Sequence, residues 1–139
     1  MAAMLGGLEG EQEMRRRFEA DLAHWRRYGF GQWAWRNANG VFVARGGLRY
    51  YDLEGERVVE LGYSVKSTLW GQGFATEIAQ TCTSMGLSEL GFRQIVAFTL
   101  PTNIASRHVM EKAGFRFSRE ILHAGRPHVL YTSALSTAT

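Results

Sequence analysis

The 139-residue chain is short of several things that would each point to a function. It has one cysteine, Cys82, which excludes an internal disulfide and a cysteine-built metal site. A lone thiol suits a reducing compartment, and a cytoplasmic setting is expected. No run approaches the ~18–20 consecutive apolar residues of a membrane-spanning helix. The opening "MAAMLGGLEGEQEM" lacks the basic and apolar regions of a secretory signal. No carboxylate–histidine cluster has metal-ligand spacing, so no metal is expected. With two prolines, no repeats and no low-complexity tract, nothing reads as a linker. The formal charge of +3 is too weak to predict nucleic-acid binding. The arginines at 15–17 and at 26 and 27 read as a solvated helix face.

What the chain does have suits one compact domain, taken as residues 1–139. Hydrophobic residues make up 45% and charged residues 21%, enough apolar content for a core. Residues 11–28 read as an amphipathic helix, with Met14, Phe18, Leu22 and Trp25 as its buried stripe. "QWAWR" and "GVFVARGGLRY" read as strands joined by the turn "NANG". "DLEGE" is a second turn. In the strand at 57–65, Val59, Leu61, Tyr63 and Val65 share one face, and Glu60, Gly62 and Ser64 the other. Gly62 predicts a bulge or a close backbone approach. A helix over 74–90 buries Phe74, Ile78, Cys82, Met85 and Leu90. "RQIVAFTL" is a strand buried on both faces. A short helix over 103–113 follows, with Gly114 as its left-handed C-terminal residue and Phe115 folding back toward Met110. Two strands around "AGRP" close the chain, with His123 and His128 as surface residues. Trp33 and Trp35 share a strand face as core or edge cover. The order predicts an α/β (α+β) domain with one central mixed, mostly antiparallel sheet and helices on both faces. The segment from 57 to 100 is a crossover between parallel strands.

Two stretches carry candidate chemistry. "WGQGFATE" puts Gly71 and Gly73 between a strand and a helix. Glycines there serve either a tight turn or a phosphate cradle made of free helix N–H groups. In "PTNIASRHVMEKAGF", Asn103 can cap its helix, with Ser106 three residues on. Both also lie where a buried strand ends, a place where open sheets gather ligands. Lys112 reads as a helix-end cation.

Together, "ELGYSV…WGQGFATE" and "IVAFTLPTNIASRHVMEKAGF" resemble the GNAT N-acetyltransferase superfamily, and within it the ribosomal-protein-alanine acetyltransferase-like branch. The resemblance covers about 11–135. It implies acetyl-CoA as co-substrate, held where strands 57–65 and 94–100 splay apart. It implies that the backbone of Tyr63, Ser64 and Val65 pairs with the pantetheine arm. Gly71, Gln72, Gly73, Phe74, Ala75 and Thr76 would take the pyrophosphate, and Asn103 and Ser106 the thiol end. Many members carry a tyrosine acid where this chain has Met110, so the resemblance moves the acid role to Ser106. Glu60 is the candidate base. The implied reaction is acetyl transfer to a primary amine, either a small amine or a protein N-terminus. A catalytically silent CoA-binding or protein-interaction module is the alternative. Trp70 stands first in the loop, as is common in this branch. "MAAMLGG" stands where the family has a first strand and helix. A short N-terminus predicts an unpaired edge on the strand at 31–36, and hence a homodimer.

Overall fold

The structure, a computed structural model, describes residues 10–134. The expected loss of a first strand and helix, and the stripe position Met14, fall outside the residues and side chains described. The elements are α1 (Gly10–Tyr28), β1 (Gln32–Arg36), β2 (Phe42–Leu53), β3 (Glu56–Val65), α2 (Phe74–Ser84), β4 (Gln94–Thr99), α3 (Ile104–Lys112), β5 (Arg116–His123) and β6 (Arg126–Ala134). One six-stranded mixed sheet runs in the order β1-β2-β3-β4-β6-β5. Among the described residues only β3 and β4 pair in parallel.

The turns set the register of the antiparallel part. Asn37 Oδ1 accepts from the N–H groups of Asn39 and Val41 at 2.9 and 3.0 Å, closing the first hairpin. Glu54 and Gly55 both have positive φ, as a tight two-residue hairpin turn demands. That turn aligns Leu53 with Glu56, and therefore Arg49 with Glu60. No shift interrupts the β2–β3 register, and a side chain at Gly62 would meet only Gln32 Nε2, at 3.7 Å. The bulge or close approach expected at Gly62 is thus absent. The crowding is at Gly47 instead, where a Cβ would lie 2.2 Å from the Gly31 carbonyl oxygen.

The sheet separates two apolar clusters. On one face Leu48, Val59, Leu61, Val65, Ile95 and Tyr131 pack with Ile78 and Cys82 of α2 and Met110 of α3. On the other, Leu53, Val96, Ile121 and Leu130 gather with Tyr51, Val58 and Phe98. The alternation read from 57–65 sorts its side chains as expected. Helix α1 reaches the sheet through Asp21, ion-paired to Arg45, and through Trp25, whose ring stacks on Trp33. Phe18, expected in the buried stripe, is 62% exposed. Its stripe runs on toward the N-terminal half of α1, whereas these anchoring contacts come from the C-terminal half. His24 serves the β2 edge: the Tyr50 N–H donates to Nε2 at 2.9 Å, so Nδ1 donates to the Phe30 carbonyl at 2.8 Å. That contact covers strand edge beyond the reach of β1.

The helix expected over 74–90 is regular only to Ser84. From Met85 to Glu89 it widens into a π turn, closed by Leu90 N–H to the Met85 carbonyl at 2.9 Å. The widening turns the apolar stripe, so Leu87 is buried while Leu90 is exposed. Helix α3 ends as expected. Gly114 is left-handed, and the N–H groups of Phe115 and Gly114 reach back to the carbonyls of Met110 and Glu111.

Candidate functional site

The parallel ladder between β3 and β4 is confined to one pairing, Glu60 with Val96. Beyond it β3 continues to Val65 and β4 to Thr99. Two helix starts stand past these C-terminal strand ends, as open α/β sheets arrange them around ligands. Gly73 caps α2 with φ of +85°, and Gly71 has φ of +81°. Both are open to space where a side chain would otherwise sit. The first N–H groups of α2 have no partners within the helix, and the positive end of the helix dipole lies behind them. Gly71, Gln72 and Gly73 are exposed, and Phe74, Ala75 and Thr76 half-buried. Trp70 donates through Nε1 to the Val65 carbonyl at 2.9 Å, tying this loop to the end of β3.

Asn103 caps α3 as expected: its Oδ1 accepts from the Ser106 N–H at 3.1 Å. Arg107 braces the same turn, donating to the Pro101 carbonyl and the Tyr131 hydroxyl, both at 3.0 Å. Ser106 points its hydroxyl back toward the sheet, 2.8 Å from the Tyr63 hydroxyl. Burial pushes the Tyr63 phenol above its ordinary pKa, and the Ser106 hydrogen bond partly offsets it. Tyr63 was expected to contribute backbone alone. Its phenol is a group that the reading of the sequence missed, because no local pattern links residues 43 apart.

Glu60 and Ser64 lie on the opposite sheet face, each only 6% exposed. Glu60 Oε1 accepts from Arg49 Nε at 2.8 Å. A carboxylate accepts on both oxygens, so Arg49 orients Glu60 without exhausting it. Ser64 Oγ is buried with no hydrogen-bond partner among the described residues. Tyr51 stands beside this pair, its hydroxyl 2.6 Å from His123 Nδ1. Burial chiefly, then the Glu60 carboxylate, raises the Tyr51 pKa, while Arg49 opposes them. His123 also packs on Phe98 and His128, so it is part of this face rather than a plain surface residue. Arg49 as the partner of Glu60 was not read from the sequence; the register set by the turn at Glu54 and Gly55 brings the two together. Nor was Tyr51 with His123, since β2 and β5 are neighbours only through the whole sheet.

The residues present fit an extended thioester carrying a diphosphate. β3 and β4 share a single pairing, Gly71 and Gly73 are open to space, and the buried Ser64 hydroxyl lacks a partner among the described residues. Among the described residues no group of acidic, histidine and cysteine side chains could hold a metal, and no helix is long and apolar enough to cross a membrane.

The acetyltransferase (GNAT) domain family matches residues 4–116. The protein YkkB of Bacillus subtilis is 30% identical over 126 residues, which is 90% of this chain and 73% of that protein. FsC-acetyl coenzyme A-N(2)-transacetylase of Aspergillus fumigatus is 38% identical over 55 residues, 40% of this chain and 23% of the fungal protein. Among solved structures, a GnaT-family acetyltransferase of Bordetella pertussis shares the fold with a TM-score of 0.82 at 21% identity, covering 93% of this chain and 81% of its own. A ribosomal-protein-S5-alanine acetyltransferase of Vibrio fischeri does so at 0.69 and 18%, covering 88% and 71%. The family match takes in most of the sequence and the fold is shared with solved acetyltransferases, so this chain belongs to the GNAT acetyltransferase family.

Proposed function

We propose that this chain is an acetyl-CoA-dependent N-acetyltransferase of the ribosomal-protein-alanine acetyltransferase-like branch. The acceptor is a primary amine, on a protein N-terminus or a small molecule. The observation that carries this reading is the single β3–β4 pairing with two helix starts standing at the strand ends. The solved ribosomal-protein-S5-alanine acetyltransferase lends the branch its support. Acetyl-CoA supplies the acetyl group as an activated thioester.

The chain's own groups divide the work. The N–H groups of Gly71 to Thr76 bind the diphosphate. The backbone of Tyr63 to Val65 holds the pantetheine arm as an added strand, with the Ser64 hydroxyl beside it. Asn103 and Ser106 meet the thiol end. Glu60, aimed by Arg49, accepts the proton of the attacking amine, directly or through water, and Ser106 gives a proton to the departing sulfur. Backbone N–H donors stabilise the oxyanion that forms between. Among the described residues β1 is an outer strand of the sheet, and its 31–36 edge is the proposed homodimer contact.

Calorimetry with acetyl-CoA, desulfo-CoA and ATP tests the reading. Binding of both CoA compounds in preference to ATP is expected, and no such preference defeats it. Thiol release with a panel of amines then separates an enzyme from a silent CoA-binding module. Glu60→Gln and Ser106→Ala are each expected to slow turnover by about 10²-fold or more. Unchanged rates would return Glu60 to a plain ion pair with Arg49 and Ser106 to a plain cap partner of Asn103.

A further inference from the structure

We propose that Tyr63 is a proton-relay residue for the acetyl-transfer step, acting through Ser106. This rests on the reading of Ser106 as the group that protonates the departing sulfur. An alcohol is a far weaker acid than a thiol, so Ser106 cannot end the step as an alkoxide. It must regain a proton as it loses one. The Tyr63 hydroxyl stands 2.8 Å from Ser106 Oγ, while the Ser106 carbonyl, a competing acceptor, is 3.5 Å away. At this distance either hydroxyl can donate; in the arrangement the relay uses, Tyr63 donates to Oγ, leaving the Ser106 O–H free to point elsewhere.

The balance is simple. As the carbon–sulfur bond breaks, the Ser106 proton moves to sulfur and the Tyr63 proton moves to Ser106 Oγ. An S–H bond forms, the serine O–H bond is remade, and Tyr63 is left as a phenolate that solvent reprotonates. Nothing is oxidised or reduced. The donor is in place beforehand: the half-buried phenol, its pKa raised, stays protonated at neutral pH, while its hydrogen bond to Ser106 favours the phenolate it becomes. The Tyr63 Cβ lies against Gly46 of β2 beside Ile78 of α2, and its hydroxyl meets Ser106 of α3; burial and that hydrogen bond, with no charged group, set the phenol's pKa. Phenol is thus coupled to serine rather than to an ionised neighbour. The arrangement also accounts for Met110, which is core packing at 2% exposure and supplies no acid.

Tyr63→Phe removes one oxygen and keeps the ring. It is expected to lower kcat by about 10–10²-fold while leaving KM for acetyl-CoA within about twofold. Added to Ser106→Ala it should cost little more, because the two hydroxyls act as one unit. The proton inventory of kcat in mixed light and heavy water should bow in the wild type and straighten in Tyr63→Phe. A readout without turnover comes from the unliganded protein, where Ser106→Ala should raise the titration point of the Tyr63 phenol, followed by tyrosine ring NMR. Wild-type kcat in Tyr63→Phe overturns the relay, as do losses that multiply in the double variant or an unmoved phenol titration. Those results leave CoA binding intact. A wild type that binds no CoA compound instead defeats the functional reading, and the relay with it.

Discussion

Cys82 illustrates how position alone decides what a side chain can do. It is the only thiol, wholly buried between α2 and the sheet, and burial pushes its pKa up to about 12 from 9.0. A thiol held neutral is a poor nucleophile, so the folded protein should react with a disulfide reagent only as fast as it opens. Fast labelling under native conditions would contradict this. The same shift links stability to pH. The folded pKa lies above the unfolded one, so the contribution is complete below about pH 9 and is lost as pH rises toward 12. Denaturant midpoints measured across that window should fall, and Cys82→Ala should flatten the fall. Glu60 is the contrasting case. It is as buried as many core residues, yet Arg49 accompanies it, and removing Arg49 would leave a carboxylate without its partner.

Among the elements, β2 and the start of β1 leave no room for a side chain at Gly47. The backbone of Gly31 and Gln32 lies directly over Gly47, so a methyl group there would strike main chain rather than a movable side-chain end. Gly47→Ala should cost about 1–3 kcal/mol or more, seen as a lower denaturant midpoint with an unchanged slope. A variant as stable as the wild type would mean that β1 can move off β2 freely. The crossover of β3, α2 and β4 carries the candidate site because its two strands separate after one pairing. The π turn at the end of α2 lies at the far end of that helix from the glycine cradle, so the change of phase leaves the cradle geometry untouched.

At the scale of the whole molecule, β1 and β5 end the sheet among the described residues, and the proposed contact at the 31–36 edge would make the chain self-associate. Light scattering should show a dimer whose fraction grows with concentration, and a clean monomer across a wide range would defeat the proposal. Much of this architecture was legible in advance. Alternation in 57–65 set Glu60 and Ser64 apart from Leu61 and Tyr63, and the Asn103 cap and the Gly114 stop were written in neighbouring residues. The GNAT resemblance rested on those same local signals together. Other features were not legible. Phe18 fits the apolar period of α1 yet is exposed, and Tyr51 meets His123 across 72 positions of chain. By itself the sequence determined most element types, the caps and the turns, because each depends on backbone preferences within a few residues. Only the tertiary structure decided where β3 and β4 part, which face each helix covers, and that Tyr63 would reach Ser106. Those outcomes depend on how twisted strands and packed helices share one core, which no short window of sequence contains.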